Sequence, residues 1–354
     1  MIAIDFEALR LIGLTPTIIN QLYTLPGLQD DTLLVRIIEV HRDWLTVHDG
    51  HAPSSARALP RLLQSMQEQD SSLAVGDWVL AERHANSECW LTARLPPFSE
   101  IARRANDGRR KLLASNIDTA LLVMGLDHDF NLRRMERYVA LVQAAGVAAV
   151  AVLTKADIGV DVEQRITQLQ LRLPSEIPAL ALNALNVDSV AALAPWLNTG
   201  QTLVLLGSSG AGKSTLTNTL AEAGQQTSGV RKGDGRGRHT TTVRSLHRCA
   251  GGACIIDTPG LRTWRPDADE QALAATFDDI EALACACQFR DCRHETEPGC
   301  AVRGVINADR LLNYHKLLRE TRRSQQTPLE RIAVRSKWKV LVKAVAARNR
   351  EKHN

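Results

Sequence analysis

Leu203-Val204-Leu205-Leu206-Gly207-Ser208-Ser209-Gly210-Ala211-Gly212-Lys213-Ser214-Thr215 reads as a buried strand, a glycine-rich turn and the opening of a helix. That succession is a phosphate-binding loop in an α/β domain. The glycines let backbone N–H groups close around a β-phosphate without Cβ clashes, and the helix N-terminus adds partial positive charge. Lys213 can reach the β- and γ-phosphates, and Ser214 offers a hydroxyl to Mg²⁺. A glycine-rich turn that matches by chance is the bland alternative, and the apolar strand before it argues against that. The chain is therefore expected to bind a nucleoside triphosphate.

Two further segments say which one. Downstream, Cys254-Ile255-Ile256 runs into Asp257-Thr258-Pro259-Gly260. An aspartate ending a buried strand suits the Mg²⁺ shell, and Gly260 would bring its N–H to the γ-phosphate. Upstream, the strand Ala148–Leu153 is closed by Thr154-Lys155-Ala156-Asp157. An aspartate there accepts two hydrogen bonds from the guanine N1–H and exocyclic amine, a donor pair adenine lacks. The stem of Lys155 can lie along the base. Each tetrapeptide alone is an ordinary turn or strand end; with the phosphate loop they read as a guanine-nucleotide site. Asp157 likewise argues against an ATP-using kinase.

Between the loop and Asp257, the segment from Arg231 to Thr242 is glycine-rich, basic and poor in apolar residues, and is expected to be mobile. Thr241 is the expected third Mg²⁺ ligand beside Ser214 and Asp257. After Asp-Thr-Pro-Gly comes Leu261, which cannot orient an attacking water as a Gln there would. His239 is the candidate catalytic group, able to handle a proton near neutral pH; a solvated loop histidine is the other reading.

Three of the seven cysteines fall at Cys287, Cys292 and Cys300, with His294 between the last two. Cys-x4-Cys-x-His-x5-Cys supplies three thiolates and an imidazole, the set for a closed tetrahedral structural zinc site. Four ligands leave no open position for water, so this zinc serves folding. Cys285 is less compactly spaced. A disulfide framework is disfavoured by the odd count.

Together these motifs resemble a GTPase in altered order, because the base-reading element precedes the phosphate loop. With Gly237-Arg238-His239-Thr240-Thr241-Thr242 and the cysteine cluster added, the chain is similar to the ribosome small-subunit-dependent GTPase A family, from about residue 30 to 320. The resemblance implies an N-terminal oligonucleotide-binding barrel, a central circularly permuted GTPase domain and a C-terminal zinc domain. It also implies GTP hydrolysis that is slow alone, accelerated by the small ribosomal subunit, and used in late subunit assembly. Two departures stand out. Thr154 replaces the usual Asn of the base reader, and the further base-contacting loop matches only loosely, at Leu182-Asn183-Ala184.

The flanks are legible on their own terms. Leu33–Val40, Trp44–Val47, Trp78–Ala81 and Trp90–Ala93 read as short strands of a small barrel, with a turn at Gly76-Asp77. Trp44, Trp78 and Trp90 are assigned to its core, with base stacking as the alternative. The expected organisation is multidomain α/β: an extension over 1–30, the barrel over 31–97, a linker over 98–112, the GTPase domain over 113–275, and a mainly helical zinc-binding domain over 276–354. The first thirty residues lack a signal-peptide pattern, and no apolar run approaches a membrane span, so the protein is expected to be cytoplasmic, off the membrane and monomeric.

Charge is uneven. Residues 301–354 carry fourteen Lys/Arg against four Asp/Glu, a net +10 in a chain whose total is only +4. A helix is expected after Pro328, with Arg331, Arg335, Lys339 and Lys343 stacked along one face. Like charges at that spacing repel unless a polyanion lies alongside, so this stripe is read as a ribosomal RNA contact, against a merely solvated face. The reading is a subunit-stimulated GTP hydrolase. The competing reading is a low-turnover scaffold that binds RNA and keeps GTP as a structural ligand.

Overall fold

A computed structural model of the chain describes residues 4–25, 32–83, 88–104, 110–225, 244–258, 265–266 and 268–325. Helices α1 (Phe6–Arg10) and α2 (Pro16–Thr24) open it. Asp5 caps α1 by accepting from Ala8 N–H, and Pro16 starts α2, where its missing N–H costs nothing. Residues 1–30 were expected as a mere extension. Instead Leu9, Ile12, Leu14, Ile18 and Leu22 are buried in one cluster with strands of the central sheet.

Strands β1 (Leu33–Val40), β2 (Leu45–His48), β3 (Pro53–Ala58), β4 (Trp78–Arg83) and β5 (Cys89–Arg94) form the barrel, with α3 (Pro60–Glu68) between β3 and β4. The pairing runs β1–β2–β3–β5–β4, and β4 returns to β1, so the sheet closes; only β3 and β5 pair in parallel. Val35, Ile37, Val47, Val79 and Leu91 fill the interior, and Leu62 and Met66 of α3 pack on it. The strand β3, Pro-Ser-Ser-Ala-Arg-Ala, has no apolar alternation and escaped the sequence reading. The tryptophans divide. Trp78 is fully buried and Trp90 half-buried, whereas Trp44 is 41% exposed and stacks on His41 with ring centroids 3.6 Å apart. The core assignment of Trp44 is corrected for a simple reason: it precedes β2, in the β1–β2 turn, outside the alternating inward positions of the strands.

The expected linker over 98–112 is largely an antiparallel hairpin, β6 (Glu100–Arg104) and β7 (Arg110–Ser115). Its basic, proline-containing sequence suggested a linker. Ile101, Ala102, Leu112, Leu113 and Ala114 are nevertheless buried, and the Glu100 carboxylate bridges Arg94 and Arg110 at 2.8 and 2.9 Å.

The central sheet contains β8 (Thr119–Gly125), β9 (Ala148–Thr154), β10 (Ala179–Ala181), β11 (Thr202–Gly207), β12 (Ser245–Arg248) and β13 (Cys254–Asp257). Their order is β10-β9-β8-β11-β13-β12, parallel except for β12, which then meets β1 of the barrel at Ser245–Glu39. Successive side chains point to opposite faces and both faces are covered, which is why β8 and β11 are buried throughout and apolar after their opening threonines. Leu122, Met124, Val204 and Leu206 meet α4 (Leu132–Ala144) and α5 (Val162–Gln170). Leu121, Val123, Leu203 and Leu205 meet α6 (Val187–Val190) and α7 (Lys213–Gln225). The phosphate-loop strand β11 lies mid-sheet, and β9, although earlier in the chain, ends on the same edge two strands away. That is the permuted order the motifs implied.

A two-residue strand β14 (Arg265–Pro266) joins β6, and α8 (Glu270–Thr276), α9 (Asp278–Ala284) and α10 (Ala308–Gln325) follow. Leu273, Phe277, Ile280, Val302, Leu311 and Leu317 make their own core, which includes Ala140 of α4. The expected helix beyond Pro328, with Arg331, Arg335, Lys339 and Lys343, lies outside the described residues.

Candidate nucleotide and metal sites

The phosphate loop begins where β11 passes β8. A Cβ at Gly207 would lie 2.4 Å from the Val123 carbonyl oxygen, so only glycine permits that approach. At Gly212 φ is +91°, and a Cβ would come within 3.1 Å of the Thr154 hydroxyl. Thr154, buried at the end of β9, donates to the Ala211 carbonyl at 2.6 Å. Lys155, in left-handed backbone at φ +61°, donates to the Gly210 carbonyl at 2.8 Å and to Asp127 at 2.7 Å. The end of β9 therefore bears directly on the phosphate loop, and Asp157 is exposed two residues further along the turn.

Asn183 and Ala184 belong to the loop after β10. Leu182 N–H donates to Leu153 O at 2.9 Å, and Ala156 N–H to Leu182 O at 3.3 Å, which sets this loop beside the Thr154–Asp157 turn. The Ala184 carbonyl accepts from Thr219 of α7 at 2.6 Å, while Asn183 caps its own turn through Leu185 N–H at 2.9 Å.

Lys213 opens α7 and folds back over the loop, donating to the Gly207 and Ser208 carbonyls at 3.1 and 2.7 Å. Burial makes its ammonium a stronger acid than usual, against the pull of Asp257 and Asp129. Ser214 donates to Asp257 Oδ2 at 3.1 Å. Burial also raises the Asp257 carboxyl above the ordinary carboxylate range, and its other oxygen, Oδ1, is buried with no hydrogen-bond partner among the described residues. A buried carboxylate oxygen left unpaired beside a hydroxyl is the donor set a hydrated divalent cation satisfies, so these residues fit Mg²⁺. Thr241, His239, Gly260 and Leu261 lie outside the described residues.

The sequence reading passed over two carboxylates in the turn after β8. Asp127 takes the ammonium of Lys155; against the cost of burial, that hydrogen bond holds its carboxyl below the usual range. Asp129 accepts from the hydroxyl of Ser208 within the phosphate loop at 2.6 Å. The available signal was a pair of acids shortly after the apolar run Ala120–Met124. Neither acid matches a motif by spacing.

In the C-terminal part, the donor atoms of Cys287, Cys292, His294 and Cys300 all lie within 4.8 Å of one another. His294 reaches this arrangement in left-handed backbone, at φ +59°, with Nδ1 3.6 and 3.4 Å from the Cys287 and Cys300 sulfurs. Ala301 N–H and Arg303 N–H donate to those two sulfurs at 3.4 Å each, as suits thiolates. Cys285 stands outside, its thiol directed to the Glu281 carbonyl. The cluster is compatible with tetrahedral zinc.

A family model described as RsgA GTPase matches residues 95–266. The small ribosomal subunit biogenesis GTPase RsgA of Xanthomonas oryzae pv. oryzae is 45% identical over 316 residues, spanning 87% of this chain and 86% of that protein. The protein of that name from Xanthomonas campestris pv. campestris is 44% identical over the same length. Among solved structures, YjeQ from Thermotoga maritima aligns with a TM-score of 0.59 at 21% identity, covering 82% of this chain and 98% of that one. YloQ, described as a circularly permuted GTPase, aligns with a TM-score of 0.55 at 22% identity, covering 84% and 97%. At such identities the two structures speak for the fold alone.

Proposed function

Because the chain belongs to the RsgA GTPase family, we propose that it hydrolyses GTP in the biogenesis of the small ribosomal subunit and that the subunit stimulates its turnover. The observation that carries this reading is the contact between the two halves of the nucleotide site. Thr154 and Lys155 bond to the carbonyls of Ala211 and Gly210 at 2.6 and 2.8 Å, so a single guanine nucleotide can span both.

In this reading the loop N–H groups from Gly207 to Thr215 cradle the phosphates. Lys213 exchanges the carbonyls of Gly207 and Ser208 for the β- and γ-phosphate oxygens. Asp157 reads the guanine edge, and the Asn183–Ala184 loop flanks the base. Ser214, Asp257 and Thr241 would hold Mg²⁺, which when bound neutralises charge on the β- and γ-oxygens. Gly260 meets the γ-phosphate. Leu261 has no group to orient water, so His239 takes that role once RNA contacts bring it to the γ-phosphate. The chain after Gly260 continues through β14, α8 and α9 to the Cys287/Cys292/His294/Cys300 unit, which would hold one structural zinc. Loss of the γ-phosphate is thereby linked to release from the subunit. Arg331, Arg335, Lys339 and Lys343 are proposed to meet rRNA, and the exposed Trp44 offers a stacking face to a base. Work on a bacterial ribosomal subunit would place the protein in the cytoplasm.

The test is GTP turnover with and without purified small subunits. Stimulation should be at least tenfold, and His239→Ala should remove most of it while GTP still binds, since a positioned proton-handling group contributes about 10²-fold or more. Binding to subunits without any rise in turnover would favour the scaffold reading.

A further inference from the structure

Ser208 is 7% exposed and Asp129 only 8%. Besides the Ser208 hydroxyl, Asp129 Oδ1 accepts from Arg134 Nη2 at 2.5 Å, and its Oδ2 accepts from Gly125 N–H at 3.2 Å. Arg134 also donates to the Asp129 backbone carbonyl. A carboxylate so near a phosphate site opposes anion binding unless it is neutralised, and Arg134 does that.

The same short turn grips the loop at a second point. Asp129 N–H donates to Asp127 Oδ1 at 3.0 Å, and Asp127 holds the Lys155 ammonium that bonds Gly210 O. The turn cannot drift, because Asn131 caps α4 through Arg134 N–H at 2.9 Å, and α4 is pinned on its far side by α10. Glu136 accepts there from Arg310 at 2.7 Å and from Asn313 at 2.5 Å.

We propose that Asp129 is a positioning residue for the proposed nucleotide site: through the Ser208 hydroxyl it fixes the N-terminal half of the phosphate loop in the conformation that receives the phosphates. The consequence for Lys213 is direct, because its ammonium rests on the Ser208 carbonyl. Fixing that residue by its side chain keeps the carbonyl from following the lysine when phosphate draws it away. The N–H groups then remain aimed inward, and little ordering is left to occur on binding. The inference rests on this loop binding guanine nucleotide.

The experiment measures the affinity of the full chain for a fluorescent GDP analogue, together with KM and kcat for GTP. The proteins are wild type, Asp129→Ala, Asp129→Asn, Ser208→Ala and the Asp129→Ala/Ser208→Ala double variant. Losing a charge-assisted hydrogen bond should weaken nucleotide binding about tenfold and raise KM in proportion, with kcat changed less than about threefold. Asp129→Asn keeps an acceptor for Ser208 and should restore binding to within about threefold. The double variant should be no weaker than Asp129→Ala, since both delete one contact. Should Asp129→Ala fail to fold, Asp129→Asn and Ser208→Ala carry the comparison. Unchanged or tighter binding by Asp129→Ala, or losses that multiply in the double variant, would overturn the inference. A wild-type chain that binds no guanine nucleotide would instead overturn the function proposed above.

Discussion

Gly207 shows how much rests on single atoms at the junction of β8 and β11. Its missing side chain is the space occupied by the Val123 carbonyl, which a Cβ would meet at 2.4 Å. Gly207→Ala must therefore move backbone, and the loop it opens moves with it. We expect nucleotide affinity to fall at least about tenfold and the melting temperature to drop by several degrees, as for ~1–3 kcal/mol of overpacking. Calorimetry and nucleotide titration check both. Thr154 is gentler. Its hydroxyl reaches Ala211 O, and Thr154→Val keeps the shape while removing the donor. That variant should weaken nucleotide binding by about three- to tenfold, since one buried carbonyl loses its side-chain partner. An unaltered dissociation constant would show that the hydroxyl does not steady the loop.

At the scale of elements, the hairpin β6–β7 is held to the barrel by charge. Glu100 lies between Arg94 and Arg110, and Arg94 also meets the buried Asp77 at 2.7 Å. Burial works against the ionised Glu100, yet hydrogen bonds from Arg110 and Arg94 outweigh it and leave its carboxyl below the ordinary 4.5. A lowered carboxyl favours the fold when ionised. Its contribution is complete above about pH 4.5 and disappears as pH falls through the lower folded value. Glu100→Gln should cost about 1–2 kcal/mol at neutral pH and flatten the acid side of the stability curve. Denaturant titrations at several pH values distinguish this from a uniform loss, which would exclude ionisation as the cause.

For the molecule as a whole, Arg36 of β1 sits where its parts meet. Fully buried, it donates to Ile12 O before α2 (2.5 Å), Gly76 O in the barrel (3.2 Å), Asn116 O after the hairpin (3.2 Å) and Thr202 Oγ1 at the start of β11 (3.0 Å). It also lies 5.3 Å from the Trp78 ring centroid. Burial lowers the pKa of its guanidinium, and nearby Cys254, Asp118 and Asp77 partly offset that. Arg36→Ala would leave those acceptors unpaired around a cavity, so we expect a loss of about 3–5 kcal/mol, measured by urea unfolding. A second expectation concerns the metal. If Cys287, Cys292, His294 and Cys300 hold the proposed zinc, chelator should lower the melting temperature while guanine nucleotide still binds, because the cluster packs in the C-terminal core, away from Ser214 and Asp257. A melting temperature indifferent to chelator would argue against a structural metal.

Local chemistry made β9, β11 and β13 of the central sheet, the glycine-rich loop after β11, the Thr154–Asp157 turn and the Cys₃His set readable from sequence, because each demands particular residue types at short spacing. Glycine at 207 and 212, lysine at 213 and apolar runs before them are needed wherever such a loop folds. Residues that act across the chain carried no such mark. Arg36 is one arginine in a strand, Asp129 one acid in a turn, and the sequence around Glu100 looks like a basic linker. Their partners lie 24 to 166 positions away for Arg36 and 79 away for Asp129 and Ser208. Long-range hydrogen bonds leave no periodicity, since the separation is set by topology and not by the pitch of a helix or strand. The sequence by itself determined which chemistry the chain holds. Only the tertiary structure decided which buried charges brace it, because desolvating a charge is tolerable only where distant acceptors converge.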